Sequence, residues 1–457
     1  MARKKEKIES REKTESKSVK PSYLAFHDRF DRTDLLILLI IFAISLFLRT
    51  YALSQPERIF FDETHYIPAA RTFLSLERLD PNDIHPPLAK QIIAIFLKVF
   101  GDWAVGWRAG SVFFGMIMIV TTYLLALSIF KNRFAPAVAS GMLGAEFLHI
   151  TQSRIATLDI YIAGFILLGY YFTWLYIDSK PTIGLGKDAR RPYTPVFWAA
   201  FFFALATGVK LSGLGGAVGA FLFIGLALWK EKKRLPLKEM AFIAVIFATV
   251  IPFVFFMIHL PQIAKGMEMS SQRLLYRKTF KFHYTDKFTH PYLSQMWQWP
   301  TVHRPIWYLW EENKQTGTIN GIVAMGNLLF WWSFIPVLLD MIYRAFKTKE
   351  NKLLFILCGY LPLYLFWLSS LSNYGGQWHL KGGFFYYMLP CVPFMALALT
   401  DTLCDIQDTK IGRVSTWIFL AGLLVFLAAF YPILAGTPIQ RPHFNRIMKL
   451  NIFKTWL

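Results

Sequence analysis

The run Leu35-Leu36-Ile37-Leu38-Leu39-Ile40-Ile41-Phe42-Ala43-Ile44-Ser45-Leu46-Phe47-Leu48, closed by Arg49 and followed by Phe60-Phe61-Asp62-Glu63-Thr64-His65-Tyr66, sets the reading of the whole chain. An apolar stretch of about 20 residues spans roughly 30 Å of hydrocarbon as a helix. It must be a helix, because lipid offers no water to satisfy backbone polar groups. The polar segment then emerges just outside the membrane. Its two adjacent carboxylates, read with Ile84-His85-Pro86-Pro87-Leu88-Ala89-Lys90, suggest a catalytic loop.

The rest of the sequence repeats the apolar pattern. Of 457 residues, 55% are apolar and 17% charged, and the mean hydropathy is +0.38. This is the composition of a polytopic, all-α membrane protein. Eleven spans are expected, near 34–53, 109–130, 134–151, 155–177, 195–209, 211–229, 239–259, 321–343, 352–371, 384–403 and 413–433. The basic connectors Lys131-Asn132-Arg133, Lys187 to Arg191, Lys230 to Arg234 and Arg344 to Lys352 fall on the same side as the N-terminus. By the positive-inside rule that side is cytoplasmic. Residues 1–33 read as a basic, solvated cytoplasmic tail without a cleaved signal. Residues 34–259 form the first transmembrane module, and 321–433 the C-terminal helices. Residues 54–108, 260–320, the short turn Ser372 to Gly383 and the tail 434–457 are placed outside.

Two classes are set aside by the same patterns. The net charge of +20 is scattered through connectors and the tail, with no soluble domain to present a groove. Anionic lipid headgroups account for it, and nucleic acid is not expected as a partner. Cys358, Cys391 and Cys404 lie in or beside apolar segments without paired spacing, so neither a disulfide framework nor a metal knuckle is indicated.

The polar chemistry collects on the outer side. From Asp62 or Glu63 a helical pattern places Ile67, Ala70, Phe73 and Leu74 on one apolar face, which suits a helix along the membrane surface. His85 precedes two prolines and is expected to be extended, while Pro86-Pro87 suits the opening of a second helix carrying Lys90. Arg49, Arg108, Arg154 and Lys210 stand where apolar helices reach this face. Ionisable groups at such depth are often functional, and their convergence on Asp62 would form an electropositive pocket for a phosphate-bearing substrate. Arg154 and Asp159 lie about 140° apart on a helix, so Asp159 is assigned to packing or an interhelical contact.

Each of these residues also has a structural alternative. Asp62 is a preferred helix N-cap, His85 can bond the backbone of a tight turn, and Lys90 and the arginines can anchor at the interface. A magnesium or manganese ion on Asp62, Glu63 and His65 is chemically conceivable, but cations can do the same charge work, and no metal or other cofactor is expected.

The ordered series Arg49, Phe61-Asp62-Glu63, His85-Pro86-Pro87-Leu88-Ala89-Lys90 and Arg154-Ile155-Ala156-Thr157-Leu158-Asp159 resembles the protein O-mannosyltransferases of the bacterial type. The likeness continues through Gly208-Val209-Lys210-Leu211-Ser212-Gly213-Leu214, His290-Pro291-Tyr292, Trp299-Pro300, Arg304-Pro305-Ile306-Trp307-Tyr308, Gly326-Asn327, Trp331-Trp332 and Phe385-Tyr386-Tyr387-Met388-Leu389-Pro390. Two departures are Leu328 in place of proline after Asn327 and Ala89 in place of glycine before Lys90.

The resemblance implies a GT-C glycosyltransferase fold without the MIR insert of fungal relatives. It also implies a polyprenyl-phosphate sugar, typically mannose, as donor, and Ser or Thr hydroxyls of a secreted protein, met near the translocon, as acceptor. Asp62 matches the family's proposed catalytic aspartate and is expected to be the base that takes the acceptor proton. A lone base with cationic phosphate binders suits single-step inversion better than a two-carboxylate retaining scheme. Glu63, about 100° away on a helix, is given a positioning or acceptor-contact role. The expected phosphate binders are His85, Lys90, Arg108, Arg154 and Lys210, with Arg304 in reserve. Arg49, His65, Asn327, Tyr386 and Tyr387 are weaker candidates for sugar, lipid or acceptor contact, and the run Trp297 to Trp310 is read as a structural belt. An aminoarabinose-transferase-like enzyme with a lipid or glycan acceptor is the competing reading. A transporter is a further one, disfavoured because no inverted repeat is evident and the charges gather at one face.

Overall fold

The computed structural model describes residues 30–75, 80, 82, 84–181, 191–266, 276–277, 290–374, 377–380 and 382–448. Most of the N-terminal tail, parts of the second outer loop and the last residues of the C-terminal tail lie outside this set. The first helix, α1 (Arg32–Thr50), starts on a reciprocal cap. Asp31 accepts from the backbone amides of Thr33 at 2.8 Å and Asp34 at 3.1 Å, and Asp34 accepts from that of Asp31 at 3.3 Å. Two of the orphan amides of the first turn are thereby satisfied. The outer loop then supplies α2 (Glu63–Leu74) and α3 (Leu88–Phe100), packed on each other. Ile67 and Ala70 on α2 are fully buried, whereas Leu74 is exposed.

The bundle continues through α4 (Ala104–Phe130), α5 (Phe134–Ala145), α6 (Phe147–Gln152), α7 (Asp159–Asp178), α8 (Thr194–Val209), α9 (Gly213–Lys232) and α10 (Leu237–Ala264). After the second outer loop come α11 (Leu328–Thr348), α12 (Asn351–Leu365), α13 (Val392–Ile406), α14 (Lys410–Ala435) and α15 (Arg441–Ile447). Among the described residues nine helices are long and apolar enough to cross a membrane, α12 and α13 among them because adjoining 3-10 turns extend them to Asn351–Leu368 and Phe385–Ile406. The chain is a multi-pass integral membrane protein. At 1.5 Å per residue, the 12 residues of α5 and the 16 of α8 are shorter than a full crossing.

Three sequence expectations are corrected. The span expected at 134–151 is broken at Glu146, whose extended backbone ends α5 and whose side chain caps α6 by accepting from the His149 amide at 2.7 Å. The span expected to begin at residue 321 begins at Leu328 instead, because Thr318–Ala324 is a strand. That strand, β2, pairs antiparallel with β1 (Ile306–Asn313) and, on its other edge, with the short strand Ile439–Gln440 from the C-terminal tail. The helical bundle therefore bears a small three-stranded sheet with β2 in the middle. A hairpin, β3 (Leu371–Tyr374) and β4 (Gln377–Leu380), occupies the place of the expected short turn.

Contacts sort the connectors to opposite ends. At one end Arg58 pairs with Glu311 and Arg441 with Glu312, joining the first loop, the sheet and the C-terminal segment. At the other, Arg133 pairs with Asp31 and Lys230 donates to Asn351. The Asp62 loop belongs to the sheet end.

Candidate active site

The site begins with a strained residue. Phe61 has φ +49°, a left-handed conformation uncommon for a bulky side chain and usually held only where the surroundings over-determine it. What holds it is stacking: its ring lies 4.1 Å from that of Tyr308 and edge-on to Tyr386 at 6.2 Å. The twist turns Asp62 into the first position before α2. Although Asp62 occupies the N-cap position, its side chain makes no capping hydrogen bond, so capping does not explain it.

Around Asp62 stand Tyr66, Tyr308, Tyr386, Tyr387, Asp159 and Lys210, each interacting electrostatically with it or with a neighbour in the group. Burial, offset by the Lys210 ammonium and reinforced by the Asp159 carboxylate, pushes Asp62 up to about 7. The residue as a whole is half-buried. A carboxyl that titrates near neutrality and has no hydrogen-bond partner among the described residues is available to accept a proton. Burial also pushes the Tyr66 and Tyr308 hydroxyls far above the usual phenol value, so both stay protonated donors.

Lys210 is delivered by the break between α8 and α9. That break needs a glycine, because a Cβ at Gly213 would lie 2.5 Å from the backbone carbon of Ala206 and the nitrogen of Thr207. Lys210 Nζ donates to Asp159 at 2.7 Å and sits 5.2 Å from the Tyr387 ring centroid and 5.9 Å from that of Tyr386. Asp159 opens α7 and so makes a contact between elements, but Arg154 precedes that helix in a non-helical connector, so the expected angle between the two around one helix does not apply.

Several sequence candidates serve other purposes in this structure. Glu63 is buried and paired with Arg108, which donates from Nε at 2.8 Å and from Nη2 at 3.1 Å. Glu63 also accepts from the Ala156 amide at 3.1 Å. Arg108 spends its remaining donors on the carbonyls of Leu53, Gln55, Pro56 and Arg58. Arg154 likewise holds the carbonyls of Leu48, Tyr51 and Ala435. These two arginines fasten the strand of chain that leads from α1 to Asp62 and leave it little freedom. Lys90 is buried against Asp80, Asn82 and the His85 carbonyl, where it stitches the second half of the loop. The sequence placed Glu63 with the substrates and Arg108, Arg154 and Lys90 on the donor phosphate. The hydrogen bonds place them in the scaffold.

Arg49 lies inside the bundle on the carbonyls of Ser45 and Gly144 and on His149. Asn327 is buried at the start of α11, bonded to Glu146 and the Leu423 carbonyl. His65 and Arg304 are exposed. Glu63 faces inward while His65 faces solvent, so they and Asp62 do not converge, and among the described residues no group of three or more metal-ligating side chains forms. The structure brings together Asp62, Lys210, Tyr386 and Tyr387 from the expected set, and adds Tyr66 and Tyr308. Tyr66 was legible, being one turn beyond Asp62. Tyr308 was not, since its place depends on the sheet.

Residues 39–260 match the family described as dolichyl-phosphate-mannose-protein mannosyltransferase. This stretch of the chain carries the protein mannosyltransferase family domain. A relative from Mycolicibacterium smegmatis, a polyprenol-phosphate-mannose–protein mannosyltransferase, is 24% identical over 452 residues, covering 84% of this chain and 86% of its own. The S. cerevisiae Pmt1-Pmt2 complex bound to the sugar donor matches the fold with a TM-score of 0.76 at 14% identity, covering 96% of both chains. ArnT from Cupriavidus metallidurans bound to undecaprenyl phosphate matches with 0.53 at 15% identity, over 93% of this chain and 73% of that one. The chain therefore has the GT-C fold expected from its sequence.

Proposed function

We propose that this membrane glycosyltransferase moves mannose from a polyprenyl-phosphate donor to Ser or Thr hydroxyls of a protein, at the extracytoplasmic face. The observation that carries the mechanism is the Asp62 carboxyl, held near neutral pKa without a side-chain hydrogen bond among the described residues and beside Lys210. The bond between the anomeric carbon and the phosphate oxygen breaks, and a bond from that carbon to the acceptor oxygen forms. The hydroxyl proton passes to Asp62, and polyprenyl phosphate leaves with its charge met by Lys210. One displacement inverts the anomeric centre.

The relatives' names support the donor and the acceptor class. The orientation reading puts the N-terminus in the cytoplasm, and the sheet end with Asp62 outside, because the basic connectors gather at the opposite end. There an acceptor emerging from the translocon would meet the site. The cation already beside Asp62 makes a metal unnecessary for charge stabilisation. To test the reading, the purified protein is given polyprenyl-phosphate mannose with a Ser/Thr-rich peptide or with a lipid acceptor. Mannosylated peptide is expected, and mannose appearing only on the lipid would overturn the protein acceptor.

A further inference from the structure

Tyr308 does not sit in β1 as an ordinary strand residue. The register pairs Trp307 with Val323 and then Leu309 with Ile322, so Tyr308 is the extra residue of a β-bulge. Bulges re-aim a side chain and are common beside active sites. This one sends an otherwise sheet-bound tyrosine against Phe61, the neighbour of Asp62, where it is 5% exposed. Its hydroxyl oxygen accepts from Gln152 Nε2 at 2.8 Å. Gln152 is in turn oriented by Thr157, whose hydroxyl donates to Gln152 Oε1 at 2.7 Å. Both Gln152 and Thr157 are buried.

This chain fixes a direction. A tyrosine hydroxyl that receives a hydrogen bond from an amide still has its own proton to give. The negative charges of Asp159 and Asp62 bear on that hydroxyl. They favour the arrangement in which its proton points toward the pocket and the amide nitrogen faces its oxygen, rather than the flipped amide. No acceptor for the proton exists among the described residues.

We propose that Thr157 and Gln152 are positioning residues that orient the Tyr308 O–H into the pocket, where it donates a hydrogen bond to an oxygen of the lipid-phosphate sugar donor. The bulge supplies the placement, and the relay supplies the direction. The proposal rests on the mannosyl-transfer reading and adds to it three residues to which sequence reasoning gave no part in the site, Tyr308 having been read as part of a structural belt.

The test uses the full-length protein in nanodiscs, with polyprenyl-phosphate mannose and a Ser/Thr peptide. Tyr308→Phe, which removes only the hydroxyl, is expected to lower kcat/KM for the donor about 10- to 100-fold, the range for one hydrogen bond to a charged or reacting group. Its KM for peptide should stay unchanged. Gln152→Glu, assayed from pH 7 to 9 so that its buried carboxyl becomes ionised, can then only accept; in that range it should draw the Tyr308 proton out of the pocket and reproduce the Phe variant, whereas with the flipped amide it would leave turnover intact. Should Gln152→Glu melt early, Gln152→Met replaces it. In either case the double variant with Tyr308→Phe should be no worse than Tyr308→Phe alone, because Gln152 acts through that hydroxyl. Binding of sugar-free polyprenyl phosphate locates the acceptor oxygen: weakening of both lipids by Tyr308→Phe assigns it to phosphate, and weakening of the mannosylated lipid alone assigns it to the sugar. Activity of Tyr308→Phe within threefold of wild type, or multiplying effects in the double variant, would overturn the relay. Absence of mannose transfer by the wild type would instead sink the functional reading on which it rests.

Discussion

Replacing Asp62 by Asn should destroy activity and yet make the protein more stable above neutral pH. Burial holds the Asp62 carboxyl at about 7 against an ordinary value of 3.8. With each tenfold change in proton affinity equal to 1.36 kcal/mol, ionising Asp62 in the folded protein costs about 4 kcal/mol, an upper bound because the residue is only half-buried. The sign follows from linkage. A carboxyl whose folded pKa is raised contributes no penalty below its unfolded value near 4; stability then declines as pH rises from about 4 to 7 and stays reduced above that. Asn carries no charge at any pH. Thermal unfolding of the two proteins in detergent should therefore diverge between pH 5 and 8, with the Asn variant higher at pH 8 and the curves converging near pH 4. Parallel turnover should fall by about 10²- to 10⁴-fold, the usual contribution of a positioned base. An Asn variant less stable than wild type at pH 8 would refute the reasoning, because Asp62 would then be a stabilising charge rather than one held at a cost.

Other consequences follow from the same geometry. Wild-type kcat/KM should rise with pH through about 7 and level off near 8, as Asp62 loses its proton; a flat profile from pH 5 to 8 would contradict the base assignment. Glu63→Ala leaves Arg108 buried and unpaired, and should cost about 3 to 5 kcal/mol of stability in denaturant unfolding. Lys210→Met should lower turnover by about 10²- to 10³-fold through loss of one preorganised charge at the leaving phosphate, measured with saturating peptide. Arg304→Ala, at an exposed position, should leave turnover within twofold of wild type.

The helices were legible because about 20 apolar residues in a row have few alternatives in lipid, and Asp62 was legible because a carboxylate pair stood alone between two such runs. The sheet was not. Ile319 and Ile322 to Met325 form a short buried apolar run, which periodicity cannot tell from the start of a helix, so β2 was read into the following span. With the sheet went Tyr308, whose bulge depends on a pairing partner beyond the turn. The contacts of the arginines were not legible for a related reason. Sequence shows Arg108 and Arg154 as basic residues at helix ends but does not show that their donors are taken by carbonyls some fifty to nearly three hundred residues away. Lys210 and Arg108 look alike in sequence, and only the fold reveals that one faces Asp62 while the other secures the chain that leads to it.

The most direct measurement is a structure of the protein with polyprenyl-phosphate mannose bound to the Asp62→Asn variant. The phosphate should lie within hydrogen-bond distance of Lys210 Nζ, about 3 Å, with the anomeric carbon between it and the side chain at position 62. A phosphate bound instead at the exposed Arg304, with the sugar directed away from position 62, would contradict the account.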